Sequence, residues 1–339
     1  MIKDKNVLLN QLALSYSPLC NRDFTQLRGD LDIRTAIEKS SIYVIAQRPV
    51  LRFDNLRPNY DDGSLEFEIR QEDNPNVLKC RMPMFQEVLG TDPSRGIDIY
   101  GGSNGGPKKP LTIGTFPAHN LHGFKILDVD PDDETQKRFL IWFTPEKLLQ
   151  NWWNDLVEVD IEGDFRAFTK YKVHYVGKAT EQEIWQRLTG HSKLQDILSL
   201  ENPLCYGSLP THEIAILTFM FQENMFVRTL GEPSADGDLS NWYLGKDLPE
   251  QRTIYLDAEK ALIHAMQPAY NEELFKNYPK STDGLHKHNL DMVNYTLTDP
   301  ITLVYEKGEI RGGLSPWGGD AIRVTNNTKA EFIKFDNSQ

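Results

Sequence analysis

The run Glu213–Phe221 (EIAILTFMF) constrains this 339-residue chain more than any other stretch. It is apolar almost without interruption, which marks a buried strand. Strand patterns recur elsewhere. SIYVIA (41–46) and FLIWF (139–143) are two, and LEFEIR (65–70) alternates so that Leu65, Phe67 and Ile69 share one side. Helix signals lie between them. Asp30 is placed to cap a helix from Leu31 to about Ile37. Thr144 caps another, with Pro145 at its first position, that runs to about Trp153. The Gly-rich stretch 101–110 reads as a loop. It fails the phosphate-loop template, because Pro107 follows Gly106 and no Ser or Thr follows Lys108 and Lys109.

Composition excludes several classes. With 39% hydrophobic and 25% charged residues, the chain is an ordinary soluble globular one, long enough for about two domains of ~100–200 residues. Cys20, Cys80 and Cys205 lie far apart with no C-x-x-C spacing. That argues against a disulfide framework or a zinc finger and fits a reducing, cytoplasmic setting. No apolar stretch approaches the ~18 residues of a membrane span. A net charge of −12 argues against a generic nucleic-acid coat, so any nucleic-acid site must be a local basic patch. Residues 165–195 provide one, with six basic side chains (Arg166, Lys170, Lys172, Lys178, Arg187, Lys193) against Glu181 and Glu183. Residues 201–250 are the opposite, with two basic and eight acidic residues.

The middle third carries the remaining signals. VEVDI, FRAF and KVHYVG read as short strands of a hairpin or meander. Thr180 and Glu183 form a capping box that opens a helix through Leu188, and residues 191–200 resume it. Residues 223–253, rich in Gly, Pro and acids, read as an inserted loop. Its charge opposes that of the basic window, so it suits either a lid that lies over that window and competes with nucleic acid, or a solvated surface loop or partner-binding edge. Asp257 is placed to cap a helix, AEKALIHAM (258–266), that Pro268 ends.

Several of these residues, in their order, resemble the GIY-YIG nuclease domain: Tyr175-Val176-Gly177-Lys178-Ala179, then Arg187 and His191, then Glu259 with Leu262-Ile263, then Pro268-x-Tyr270-Asn271. The resemblance covers residues of about 157–280. It implies a small mixed sheet with flanking helices and a divalent-metal-dependent endonuclease that cuts nucleic acid, with DNA favoured. By the same resemblance Tyr175, Arg187, His191 and Glu259 are catalytic, Glu259 holds Mg²⁺ or Mn²⁺, and Lys178, Lys172, Lys193 and Asn271 contact nucleic acid. The residue types suit that chemistry. Phosphodiester hydrolysis needs a neutralised phosphate, a cation on its oxygens and an activated water. Mg²⁺ accepts few carboxylates plus waters, and a guanidinium is a planar, always-charged fork for phosphate. Each residue also has a plainer use. Tyr175 suits a buried strand, Arg187 a salt bridge to Glu183, Glu259 a helix-dipole contact, His191 a cap and Asn271 a turn. His264 suits a satisfied core position, and His286 and His288 lack a third metal ligand.

One position departs from the family. Its first strand carries a Gly-Ile-Tyr tripeptide about ten residues before the second tyrosine motif, and the best-placed match here, Gly163-Asp164-Phe165, lacks the hydroxyl. The expectation is therefore an α+β chain in three parts. Residues 1–153 form a β-rich domain that recognises substrate, a partner protein or a second copy. Residues 154–280 form the nuclease-like domain with the acidic insertion 223–253, and 281–339 a C-terminal β segment. By fold-level analogy such a nuclease suits restriction, antiviral defence or repair. A catalytically impaired binding module of the same fold is the alternative that Phe165 raises.

Overall fold

The computed structural model describes residues 5–103, 108–179, 183–229, 248–314 and 318–335. The chain opens with strands β1 (Lys5–Leu14) and β2 (Leu19–Cys20), helices α1 (Asn21–Leu27) and α2 (Leu31–Glu38), and strand β3 (Ile42–Gln47). Next come β4 (Leu51–Asn59), β5 (Ser64–Gln71), β6 (Leu78–Pro83), β7 (Gly96–Gly102), β8 (Lys109–Pro110), β9 (Gly123–Val129) and β10 (Lys137–Phe143). Helix α3 (Pro145–Trp153) and strand β11 (Asp160–Glu162) follow. Strand β12 (Lys170–Lys178), helices α4 (Ile184–Thr189), α5 (Ser192–Leu200) and α6 (Pro210–Glu213), strand β13 (Ile214–Thr229) and helix α7 (Gln251–Met266) form the next stretch. The last strands are β14 (Met292–Leu297), β15 (Thr302–Tyr305), β16 (Gly308–Arg311), β17 (Ala321–Thr325) and β18 (Lys329–Ile333).

The chain is α+β and divides into two compact units. Unit 1 is Met1–Arg48, Thr169–Asn202 and Leu209–Gln339; unit 2 is Pro49–Phe168 with Pro203–Ser208. This replaces the three-part division expected from the sequence. The cause is strand pairing between distant segments. Strand β1 pairs antiparallel with β13 and parallel with β14, and β3 lies between β12 and β13. The first 48 residues and the C-terminal strands thus share one ten-stranded mixed sheet, in the order β16-β15-β12-β3-β13-β1-β14-β17-β18, with β2 on β13. That sheet takes the place of the small one expected.

The apolar run lies where its composition requires. Residues 214–219 of β13 are all buried, and so is every residue of β3 beside it. Burying each Ile, Val or Leu there contributes roughly 1.5–3 kcal/mol. The strand then continues to Thr229, pairing with Lys5–Gln11 of β1, so the first part of the expected acidic loop is strand. Residues 230–247, the core of that loop and of its expected covering role, lie outside the described residues, as do Thr180 of the capping box and 104–107 of the Gly-rich loop.

Unit 2 holds two four-stranded sheets, β11-β6-β5-β4 and β10-β9-β7-β8. Bridges Phe53↔Leu121 and Leu56↔Ala118 join strand β4 to the segment before β9. Their shared core is aromatic, with Phe53, Phe67, Phe124 and Phe143 meeting at ring separations of 4.8–5.8 Å. Leu65, Phe67 and Ile69 face it, as the alternation in LEFEIR predicts. Thr144 and Asp30 cap their helices as expected. The expected hairpin of VEVDI, FRAF and KVHYVG does not form. Strand β11 pairs with β6 of unit 2, Phe165–Phe168 is a 3₁₀ turn, and β12 pairs with β3 and β15 of unit 1.

Candidate active site

Strands β3 and β12 run antiparallel, with Tyr43 opposite Gly177 and Ile45 opposite Tyr175. A bulge at His174 interrupts the register, and beyond it Tyr175 and Gly177, two residues apart, share one face. Gly177 is required by this pairing. A Cβ there would lie 2.5 Å from the Tyr43 ring and hydroxyl and 2.7 Å from the Tyr175 ring. The Tyr43 ring thus crosses the strand over Gly177, with its centroid 6.0 Å from that of Tyr175.

His191 completes the arrangement. It is the N-cap of α5, where Nδ1 accepts the Leu194 N–H at 3.2 Å, and Nε2 lies 2.8 Å from the Tyr43 hydroxyl. A ring nitrogen that accepts from a backbone N–H carries no proton, so Nε2 carries it and donates to the Tyr43 oxygen. The electrostatics agree. Burial, reinforced by Arg187 and Lys193, pushes His191 down to about 4, so the ring is neutral near pH 7. Its ring centroid lies 5.0 Å from that of Tyr175. His191 is a buried cap and strut, which leaves neither nitrogen for the phosphate contact or proton transfer expected from the sequence.

Arg187 projects from α4. The expected rival contact is taken up elsewhere, because the Glu183 carboxylate meets Arg34 at 3.4 Å. The Tyr43 hydroxyl beside its guanidinium raises Arg187 above its ordinary value. Burial raises the Tyr43 hydroxyl, with Tyr175 reinforcing and Arg187 opposing.

Glu259 enters from α7. The helix starts at Gln251, seven residues earlier than the sequence suggests, so Glu259 sits mid-helix and not at its opening. Asp257 is not a cap. Its buried carboxylate accepts from the Tyr278 and Tyr295 hydroxyls, at 2.7 Å each, and from the Leu285 N–H at 2.8 Å. That network anchors the helix that carries Glu259. The Glu259 carboxylate is itself buried, 3.1 Å from the Lys178 ammonium. Burial raises it above the usual carboxylate range, opposed by Lys178.

Tyr175, Lys178, Arg187, Lys193 and Glu259 line one open cleft of about 430 Å³. Tyr43 is fully buried and forms part of its support. Two expected nucleic-acid contacts are corrected. Lys172 is not among the residues lining the cleft and meets Glu201 at 3.5 Å. Asn271 is committed to the backbone of β12, its Oδ1 accepting the Val176 N–H at 3.0 Å and its Nδ2 donating to the Val176 carbonyl at 2.8 Å. It borders the cleft as a strut. Lys193 reaches Glu272 at 2.7 Å at the rim. His264 is satisfied by the Phe275 carbonyl at 2.9 Å.

Phe165 has no part in this site. It packs edge-on against Trp152, 5.2 Å away, in unit 2. The residue missed from the sequence is Tyr43. Its strand was legible, but the whole of Pro49–Phe168 separates it from β12. No protein-family model, curated protein or solved structure matches the chain.

Proposed function

We propose that this cleft is the active site of a divalent-metal-dependent endonuclease of GIY-YIG type, acting on DNA. One observation carries the reading: Tyr175, Arg187 and Glu259 reach a single cleft from a strand and two separate helices. Chance use of these residues as a core tyrosine, a surface salt bridge and a dipole partner gives no reason for them to meet. Tyr43 strengthens it. Ser41-Ile42-Tyr43 keeps two of the three residues of the family's first-strand tripeptide, on the strand that pairs with Tyr175-Val176-Gly177. Tyr43 puts a tyrosine on the strand paired with Tyr175, as Phe165 does not, and this weighs against the impaired-module alternative. Unit 2 then reads as an insertion between the two tyrosine strands.

The residues fit a hard cation. Glu259 is a buried carboxylate on an open cleft, and a cation already stands against it as the Lys178 ammonium. Bound there, Mg²⁺ or Mn²⁺ would supply Lewis-acid stabilisation of phosphate charge. The chain's own groups divide the remaining work. Arg187 holds the phosphate with paired N–H donors, its position set by the Tyr43 hydroxyl. Tyr175 presents its hydroxyl to the attacking water. His191 stays neutral and fixes Tyr43. Lys178, once its carboxylate partner is otherwise engaged, offers a second positive contact to the substrate. Asn271 holds the β12 backbone at Val176.

Incubation with supercoiled plasmid, linear duplex, single-stranded DNA and RNA, each with Mg²⁺, Mn²⁺ or EDTA, tests the proposal. Metal-dependent nicking or cutting is expected. No hydrolysis of any substrate with either metal would overturn it.

A further inference from the structure

Unit 2 carries a second feature that the cleft does not use. The sheet β10-β9-β7-β8 buries one face, through Ile99, Phe124, Ile126 and Phe143. Its other face carries a cross-strand row in register: Tyr100 on β7, Lys125 on β9 and Trp142 on β10. Lysines gather on both rings. The Lys108 and Lys147 ammonium groups lie 5.3 and 4.3 Å from the Trp142 ring centroid. Those of Lys125 and Lys137 lie 4.8 and 5.7 Å from that of Tyr100. Lys137 also meets Asp98 at 2.6 Å and the Tyr100 hydroxyl at 3.4 Å. Lys125 has no carboxylate partner among the described residues.

This grouping runs against its surroundings. Residues 49–168 contain 13 basic and 21 acidic side chains, a net of −8. Four ammonium groups about two rings of so acidic a unit, one of them held by Asp98, suit an anionic ligand. The rings limit the motion of lysines that would otherwise sample many rotamers, so less freedom remains to be lost on binding. The row runs across three neighbouring strands, β7, β9 and β10, which suits an extended polyanion better than a small one. The ring faces already carry ammonium groups, so the row reads as a phosphate-contacting surface and not as a base-stacking platform.

We propose that the Tyr100–Lys125–Trp142 face of unit 2 binds the phosphate backbone of duplex DNA, independently of sequence. The ligand class rests on the nuclease reading; the surface rests on unit 2 alone. Lys125 and Lys147 are the principal contacts, and the two rings position them.

The test is fluorescence anisotropy with the full chain and a labelled 30-base-pair duplex of arbitrary sequence, in EDTA, across a salt series. EDTA separates binding from cleavage. Lys125→Ala and Lys147→Ala should each weaken binding several-fold at low salt and flatten the slope of log Kd against log salt by about 1, as loss of one phosphate contact does. Lys125→Arg should restore the slope. Lys79→Ala, the same charge change on the other sheet of unit 2, is the control and should leave the slope unchanged. If Lys125→Ala and Lys147→Ala match Lys79→Ala with the fold intact, the proposal is overturned and the face is left to an acidic protein. A chain that binds duplex through these lysines yet cleaves nothing would remove the nuclease reading and keep this one.

Discussion

Gly177→Ala tests the packing that joins the two tyrosine strands. The new Cβ would lie 2.5 Å from the Tyr43 ring and hydroxyl, where carbon contacts normally settle at about 3.5–4.0 Å. The shortfall is about 1 Å. Tyr43 is fully buried, so its ring has nowhere to swing without displacing neighbours. Overpacking of this kind costs about 1–3 kcal/mol. Moving the ring also breaks the 2.8 Å bond to His191, worth roughly 1 kcal/mol. We expect a loss of about 2–4 kcal/mol in urea unfolding, a large part of a typical 5–15 kcal/mol stability. Because Arg187 is set by the same hydroxyl, cleavage should fall ~10²-fold, as a 1 Å misplacement of a positioning group can cost. Tyr43→Ala removes the nearer ring and leaves the Tyr175 ring at 2.7 Å, so adding Gly177→Ala to it should cost less than in the wild type but not vanish. An equal cost in both backgrounds, or wild-type stability and rate for Gly177→Ala, would refute the reasoning.

Three further outcomes follow from the same geometry. Tyr43→Phe leaves the His191 Nε2–H without an acceptor and should cost about 1–3 kcal/mol together with most of the cleavage rate, whereas Phe165→Leu should leave the chemistry untouched; parallel melts and nicking assays check both. Asn271→Ala removes two bonds to the Val176 backbone and should destabilise by about 1–3 kcal/mol, with Asn271→Ser recovering little. The third concerns pH. Burial pushes His174 and His191 down to about 4, below the ordinary 6.5, so both are neutral in the folded chain while the unfolded chain takes up their protons. Their contribution is complete above pH 6.5 and is lost as the pH falls toward 4. The slope approaches roughly 1.4 kcal/mol per pH unit for each histidine. Urea titrations at stepped pH should show it, and His191→Asn, which keeps a capping side chain, should remove one proton's share.

What the sequence revealed and what it hid divide along one physical line. Local pattern was legible. The apolar run Ile214–Phe221, the alternation of Leu65, Phe67 and Ile69, and the caps at Asp30 and Thr144 all depend on neighbours within a few residues. Pairing between distant strands was not. Nothing local to Lys5–Leu14 tells that it lies between β13 and β14, and nothing local to Ser41–Tyr43 tells that Gly177 awaits its ring. The structure brings Tyr175, Arg187 and Glu259 to one cleft and commits two other candidates to structural contacts. Asn271 and His191 have polar groups that suit a ligand, and only the fold shows those groups committed to Val176, Leu194 and Tyr43. Asp257 misled for the opposite reason. It looks like a cap before an apolar stretch, but its carboxylate is held by two tyrosines from later in the chain.

In the proposed function Tyr175, Arg187 and Glu259 form one catalytic cleft. Its most direct test is the Mg²⁺-dependent nicking rate of supercoiled plasmid by wild type, Arg187→Ala and Glu259→Gln, each shown folded by near-ultraviolet circular dichroism. The wild type is expected to nick, with a loss of about 10²-fold or more in both variants. Nicking by Glu259→Gln at the wild-type rate in saturating Mg²⁺, or an Arg187→Ala change confined to stability, would contradict it.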